Sequence, residues 1–165
     1  MKKITKLALV ASALTLNLCA DTLPDLHIGV SSAKVLDKDF TEFNIGYGVN
    51  IYTQSHIFWG LSLDFAYGSL DLENTKSVDA FTYSGDLKLG YALFDDKLAV
   101  YAIGSGALQT VDTKDGAGFG YGAGVDYRIT KNIALNVEYK TYDMVSDKMP
   151  DYTYEKINTN LKYTF

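Results

Sequence analysis

Cysteine is nearly absent from this chain of 165 residues, and Cys19 is the only one. It stands beside Ala20, where a leader would be cut, so the mature chain is expected to have no disulfide, thiolate nucleophile or cysteine metal site. Proline occurs twice, at Pro24 and Pro150, and histidine twice, at His27 and His56. No run of 18 apolar residues occurs, which excludes a spanning helix. Basic charge is also short, with 15 Lys and Arg against 20 Asp and Glu, and this argues against nucleic acid as a partner.

The first twenty residues have the layout of a secretory signal peptide. Lys2, Lys3 and Lys6 form a positive start, Leu7 to Leu16 is a short apolar core, and Ala20 is small enough for cleavage. Lipidation of Cys19 is disfavoured because Leu18, the residue before it, is bulky. The expected division is a signal over 1–20 and one domain over 21–165. The leader carries three basic residues and no acid, so the mature chain is more acidic still.

Tyrosine is abundant, with 13 residues, and period-two alternation runs through the mature chain. Eight segments show it, at about 26–34, 42–52, 57–68, 80–93, 98–109, 116–130, 133–142 and 154–165. In 57–68, Ile57, Trp59, Leu61, Leu63, Phe65 and Tyr67 oppose Gly60, Ser62, Asp64 and Ala66. In 98–109 the faces are hardest to tell apart, and Ala99, Tyr101 and Ile103 are assigned outward. Short turns fall at 53–56, 94–97 and 130–132, and longer polar links at 35–41, 69–79, 110–116 and 143–153.

The stretch "GAGFGYGAGVDYRIT" decides which face is the core. Phe119, Tyr121, Val125 and Tyr127 share one face, and Gly118, Gly120, Gly122 and Gly124 share the other. A water-soluble barrel would show bare glycine to solvent and crowd the aromatics inside. An eight-stranded membrane barrel has a lumen only just wide enough for side chains, which suits glycine, serine and asparagine. Its apolar face meets lipid, and closure pairs every backbone group. The fold expected is an all-β, eight-stranded antiparallel up-and-down transmembrane β-barrel. Trp59, Tyr91, Tyr127, Tyr163 and Phe165 would form one interfacial girdle, with Tyr67, Phe81, Tyr83 and Tyr139 in the other.

"GAGVDYRITKNIALNVEYK" resembles the penultimate hairpin of OmpA-type and OmpX-type outer-membrane barrels, through Asp126–Tyr127, Ile129–Thr130 and Glu138–Tyr139. The ending "NLKYTF" resembles that family's C-terminal signal, with Phe165, Tyr163, Leu161 and Ile157 at alternating positions. The resemblance implies residence in the outer membrane and termini in the periplasm. It also implies that the outer-membrane assembly machinery reads the last strand. Lipid and lipopolysaccharide would be the surrounding partners, with the barrel a monomer. No peptidoglycan-binding domain follows Phe165 in this sequence, a departure from full-length OmpA.

Nine charged residues are assigned to the lumen: Asp64, Asp86, Lys88, Asp126, Arg128, Glu138, Lys140, Lys156 and Lys162. Four acids face five bases, and pairing is expected because an isolated charge there is costly. Glu138 is expected near Arg128 and within reach of Lys162, and Asp64 on the strand beside Lys88. No catalytic, cofactor or metal site is expected. The resemblance puts His27 and His56 at the periplasmic end, away from the outer leaflet. "SH" at 55–56 reads as turn chemistry, because a Ser–His pair lacks its third group. The glycine run is not a phosphate loop, since no helix follows. The function expected is non-enzymatic, contributing to envelope structure and surface properties. The alternatives are a small porin-like channel and an adhesin acting through the external loops. The acidic links leave divalent-cation bridging to lipopolysaccharide open, although no calcium-loop spacing is present.

Overall fold

The computed structural model describes residues 21–35, 38–53, 55–71, 77–146 and 150–165. The expected signal and Cys19 lie outside them, as do Asp37, Glu73 and Asp147 of the acidic links. Eight strands close into one barrel in chain order. They are β1 (Asp21–Val35), β2 (Lys38–Tyr52), β3 (Ile57–Asp71), β4 (Ser77–Leu93), β5 (Leu98–Val111), β6 (Lys114–Arg128), β7 (Ile133–Val145) and β8 (Tyr152–Thr164). All neighbours are antiparallel, and β1 pairs with β8 to close the seam. Every strand therefore pairs on both sides, and no edge is left open.

The turns at the termini end are tight. Thr53 and Ile57 share a backbone hydrogen bond of 2.9 Å, and the Thr130 hydroxyl accepts from the Ile133 amide at 3.0 Å. Phe94, Asp95 and Asp96 reverse the chain in the left-handed region, with φ of 54°, 54° and 62°.

Alternation is carried through as apolar-out and polar-in. Phe43, Leu63, Tyr83, Leu89, Phe119, Tyr121 and Tyr163 are exposed on the outer wall, while Asp64, Asp86, Glu138 and Lys140 are buried inside. Tyr67 and Phe81 meet across β3 and β4 with ring centroids 4.9 Å apart and planes tilted by 43°.

The assignment of β5 is overturned. Ala99, Tyr101 and Ile103 point inward and are 2 %, 5 % and 3 % exposed. The glycines of β6 are the physical reason. Tyr101 pairs with Gly124 and Ile103 with Gly122, so bulk on β5 lies where β6 has none. A Cβ on Gly124 would sit 2.5 Å from the Tyr101 ring, and one on Gly120 would meet the Tyr142 ring at 2.5 Å. The glycine stripe makes room for large lumenal side chains from its neighbours.

The long polar links are also corrected, because the strands run on through most of them. β5 reaches Val111 and β6 starts at Lys114, leaving two residues where 110–116 was expected to be a link. β3 and β4 likewise extend through 69–71 and 77–79. In these extensions the sidedness reverses. Val35, Phe40, Leu70, Val111 and Met144 point inward and are buried, while Asp39, Ser69, Asp79 and Asp143 are exposed outside. Tyr67 and Tyr139 stand at the crossover, donating to Asp79 at 3.0 Å and to Glu155 at 3.0 Å. The far end of the barrel is thus built like a water-soluble one, with apolar side chains inside.

Glycine position separates two outcomes. Gly124→Ala should lower stability by about 1–3 kcal/mol through overpacking against Tyr101. Gly104→Ala should change little, because its Cβ meets nothing within 4 Å. Urea unfolding of both variants in lipid vesicles measures the difference, and equal stability would return Tyr101 to the outer face.

Candidate functional site: the packed lumen

Period-two geometry sends one residue in two toward the axis, and eight strands bring those side chains within reach of the opposite wall. Polar side chains at the middle of the barrel join in a closed circuit. His27 Nδ1 lies 2.9 Å from Asp25, and its Nε2 lies 2.6 Å from Asp64. Asp64 faces Lys140 at 3.8 Å, and Lys140 pairs with Glu138 at 3.0 Å. The Tyr101 hydroxyl bridges Glu138 at 2.8 Å and Asp126 at 3.1 Å. Lys162 then joins Asp126 at 2.8 Å to Asp25 at 3.6 Å, returning to the start.

Branches bring in the remaining strands. Lys88 on β4 reaches across to Glu138 on β7 at 2.6 Å. Asp86, also on β4, pairs with Lys140 and accepts from Ser105 at 2.5 Å. Asn50 on β2 donates to Asp25 at 2.5 Å. Asn136 donates to Asp126 and to the Tyr101 oxygen, each at 2.5 Å, and accepts from Asn160 at 2.9 Å. All eight strands are tied to the circuit by side chains as well as by the backbone.

The charged residues singled out in the sequence divide accordingly. Asp64, Asp86, Lys88, Asp126, Glu138, Lys140 and Lys162 are brought together. Arg128 is not: it stands at the terminal mouth, its guanidinium 5.4 Å from the Tyr52 ring centroid. Lys156 pairs in register with Lys140, and its ammonium lies 5.7 Å from the Tyr154 ring centroid. Two expected pairings are corrected. Glu138 binds Lys88 and Lys140 rather than Arg128, and Asp64 binds His27 and Lys140 rather than Lys88. Neighbouring strands set those expectations, whereas a long lysine in a narrow tube meets the far wall.

Asp25, His27 and Glu42 complete the buried charge, at 1 %, 3 % and 0 % exposure. Asp25 and Glu42 fall at or beyond the ends of the alternating segments, and extending the same parity places them inside. With them the lumen holds six buried acids, Asp25, Glu42, Asp64, Asp86, Asp126 and Glu138, against four buried lysines, Lys88, Lys140, Lys156 and Lys162, and His27. His27 faces a carboxylate from each ring nitrogen, and both acceptors are satisfied when both nitrogens carry protons.

Above the circuit, hydroxyl and amide groups form a second layer. Tyr154 donates to Glu42 at 2.7 Å, Gln109 to Thr82 at 3.0 Å, and Ser31 to Asn158 at 2.7 Å. Beyond them Tyr142 and Tyr154 stack at 5.4 Å beneath the apolar cluster of Val35, Phe40, Leu70, Val111 and Met144. Among the described residues no cluster is arranged to hold a metal ion. His56 sits in a turn at the terminal end, 3.2 Å from Asp96, and the Ser55 hydroxyl pairs with Thr53 at 3.0 Å.

Removing Glu138 takes away the ion-pair partner of Lys88 and one of the three anions around Lys140 in a buried site. Glu138→Ala should therefore destabilise the barrel by about 3–5 kcal/mol, the usual cost of breaking a buried ion pair. Lys156→Met should be neutral or stabilising, because it removes a buried charge beside Lys140 that has no ion pair among the described residues. Unfolding midpoints of the two variants in the same vesicles check the contrast.

Solved structures share this architecture. The neisserial surface protein NspA superposes with a TM-score of 0.60 at 15% identity, covering 90% of this chain and 100% of that one. Ail, the attachment invasion locus protein of Yersinia pestis, gives 0.54 at 17% identity, covering 88% and 99%. The outer membrane enzyme PagL gives 0.59 at 11% identity, covering 84% and 98%. At these identities the likeness is one of fold. A comparison with curated protein sequences found no match. The family model for the outer membrane protein beta-barrel domain matches residues 7–165. The chain belongs to that outer-membrane barrel family, and its apolar outer wall is the surface that meets lipid.

Proposed function

We propose that this protein is a non-enzymatic, closed barrel that contributes to the structure and surface properties of the outer membrane. The observation that carries the reading is the double closure of its lumen. The ionic circuit joins all eight strands across the axis, and the apolar cluster around Phe40, Leu70 and Met144 fills the far end. A porin-like path needs a continuous column of water, and side-chain packing at both depths argues against one.

Export by the leader and cleavage after Ala20 would deliver the chain to the periplasm, with both termini remaining there. Ile157, Leu161, Tyr163 and Phe165 face outward along β8 and are open to capture by the assembly machinery. The Phe165 amide bonds to the Pro24 carbonyl at 3.1 Å, so the signal adjoins the β1–β8 seam. Lipid and lipopolysaccharide surround a single barrel.

PagL carries an enzyme on this fold, so the fold alone does not decide the matter. What favours a non-enzymatic role is the use of both histidines, His27 in the buried circuit and His56 in a turn at the terminal end. An adhesive role like the attachment that gives Ail its name would act through loops. Here two of the four far-end connections, those after β1 and β5, are only two residues long.

Planar-bilayer recording of the refolded mature chain tests the reading. The current should stay at the level of the protein-free bilayer. Large, steady conductance would replace the closed barrel with the channel alternative.

A further inference from the structure

Glycine on the outer wall behaves unlike glycine in the lumen. A Cβ on Gly118 would lie 2.6 Å from Met144 sulfur, and one on Gly60 would lie 2.6 Å from Asn50 Oδ1. On the lipid face the only close atom at Gly85 is a Leu63 methyl at 3.5 Å, and Gly106 meets only the Phe119 ring, at 3.9 Å. The chain's own packing requires no glycine at either place. Glycine weakens a strand, and in a strand interior it often marks the close approach of another body.

These two residues pair directly across β4 and β5 and form the floor of a groove of about 840 Å³. Leu63 and Tyr83 wall one side, Leu108 and Phe119 the other. The volume falls in the range of roughly 300–1,000 Å³ found for small-molecule sites. The groove follows one row of the register, Leu63–Gly85–Gly106–Phe119–Asp143. Strands in such barrels tilt by about 35–45°, so a row perpendicular to them is itself inclined. It descends from the polar band at Asp143 to Leu63, four residues below Tyr67 at the girdle.

We propose that this groove is a binding site for one acyl chain of a lipid in the far-end leaflet. Its walls are continuous with the lipid-facing wall, and its upper end opens at the depth of headgroups. A second copy of the barrel is a poor occupant. A two-fold contact places the same patch on both partners, and two concave floors facing each other leave the space unfilled. A flexible hydrocarbon chain fills it and restores the contacts that the glycines lack. Occupancy depends on the lipid-facing wall and is independent of whether the lumen conducts.

The test uses the full mature chain refolded into phosphatidylcholine vesicles, extracted into mild detergent and examined by native mass spectrometry. The unmodified chain should retain one phosphatidylcholine. Gly106→Leu and Gly85→Leu each put a side chain into open space and should lose that adduct while remaining folded. Ala123→Leu, exposed on β6 outside the groove, should keep it. Loss in either folded groove variant, with retention in Ala123→Leu, supports the site. The proposal is overturned if the unmodified chain retains no lipid, if both groove variants retain it, or if Ala123→Leu loses it too.

Discussion

Lys140 is wholly buried, and the interior is arranged around its charge. Taking an ammonium out of water costs several kcal/mol, and only close anions and full hydrogen bonding offset it. Asp86, Glu138 and Asp64 supply the anions from β4, β7 and β3. Each of these acids must then be satisfied in turn, which draws in Lys88, Tyr101, Ser105 and His27. One lysine on one strand therefore fixes the relative rotation of strands that do not touch through their backbones. Backbone pairing specifies a closed sheet, whereas this circuit specifies which register closes it.

Sidedness depends on depth. Where lipid surrounds the wall, polar groups turn inward and apolar groups outward; past Tyr67 and Tyr139 the arrangement is reversed. Both patterns follow the same period of two, so a strand crosses the boundary without a bulge or a break. The reversal places the apolar cap beyond the hydroxyl and amide layer that lies above the polar circuit, and the three layers pack one narrow tube. The glycines of β6 are the complement of this filling. They yield lumen volume to Tyr101, Tyr142 and Met144, whose own strands pack beside them.

Much of this was legible in the sequence. The alternation in 57–68 and in the glycine-rich β6 specified the strands and which face meets lipid, and the family match bears out the barrel. β5 was misread because "LAVYAIGSGALQ" has small residues on both faces, so hydropathy alone does not orient it. Its direction is set by its partner, through the pairing of Tyr101 with Gly124. The far-end extensions were misread as links because their outward residues are polar, as loop residues are. Asp79 and Asp143 look like loop acids until Val78, Ala80 and Met144 are seen to continue the period. Which charges pair is a property of the cross-section. No spacing along the chain announces that Lys88 meets Glu138 from across the barrel.

Each strand crosses from a lipid-facing to a water-facing stretch at the tyrosine girdle while keeping one parity. Nitroxide labels placed singly at Leu61, Leu63, Phe65, Tyr67 and Ser69, with Ser62 and Asp64 as lumenal controls, measure it through relaxation by oxygen and by a water-soluble nickel reagent. Oxygen should dominate from Leu61 to Phe65, the two should cross between Tyr67 and Ser69, and the lumenal controls should respond weakly to both. Oxygen-dominated relaxation at Ser62 and Asp64, or the absence of any crossing by Ser69, would contradict the account.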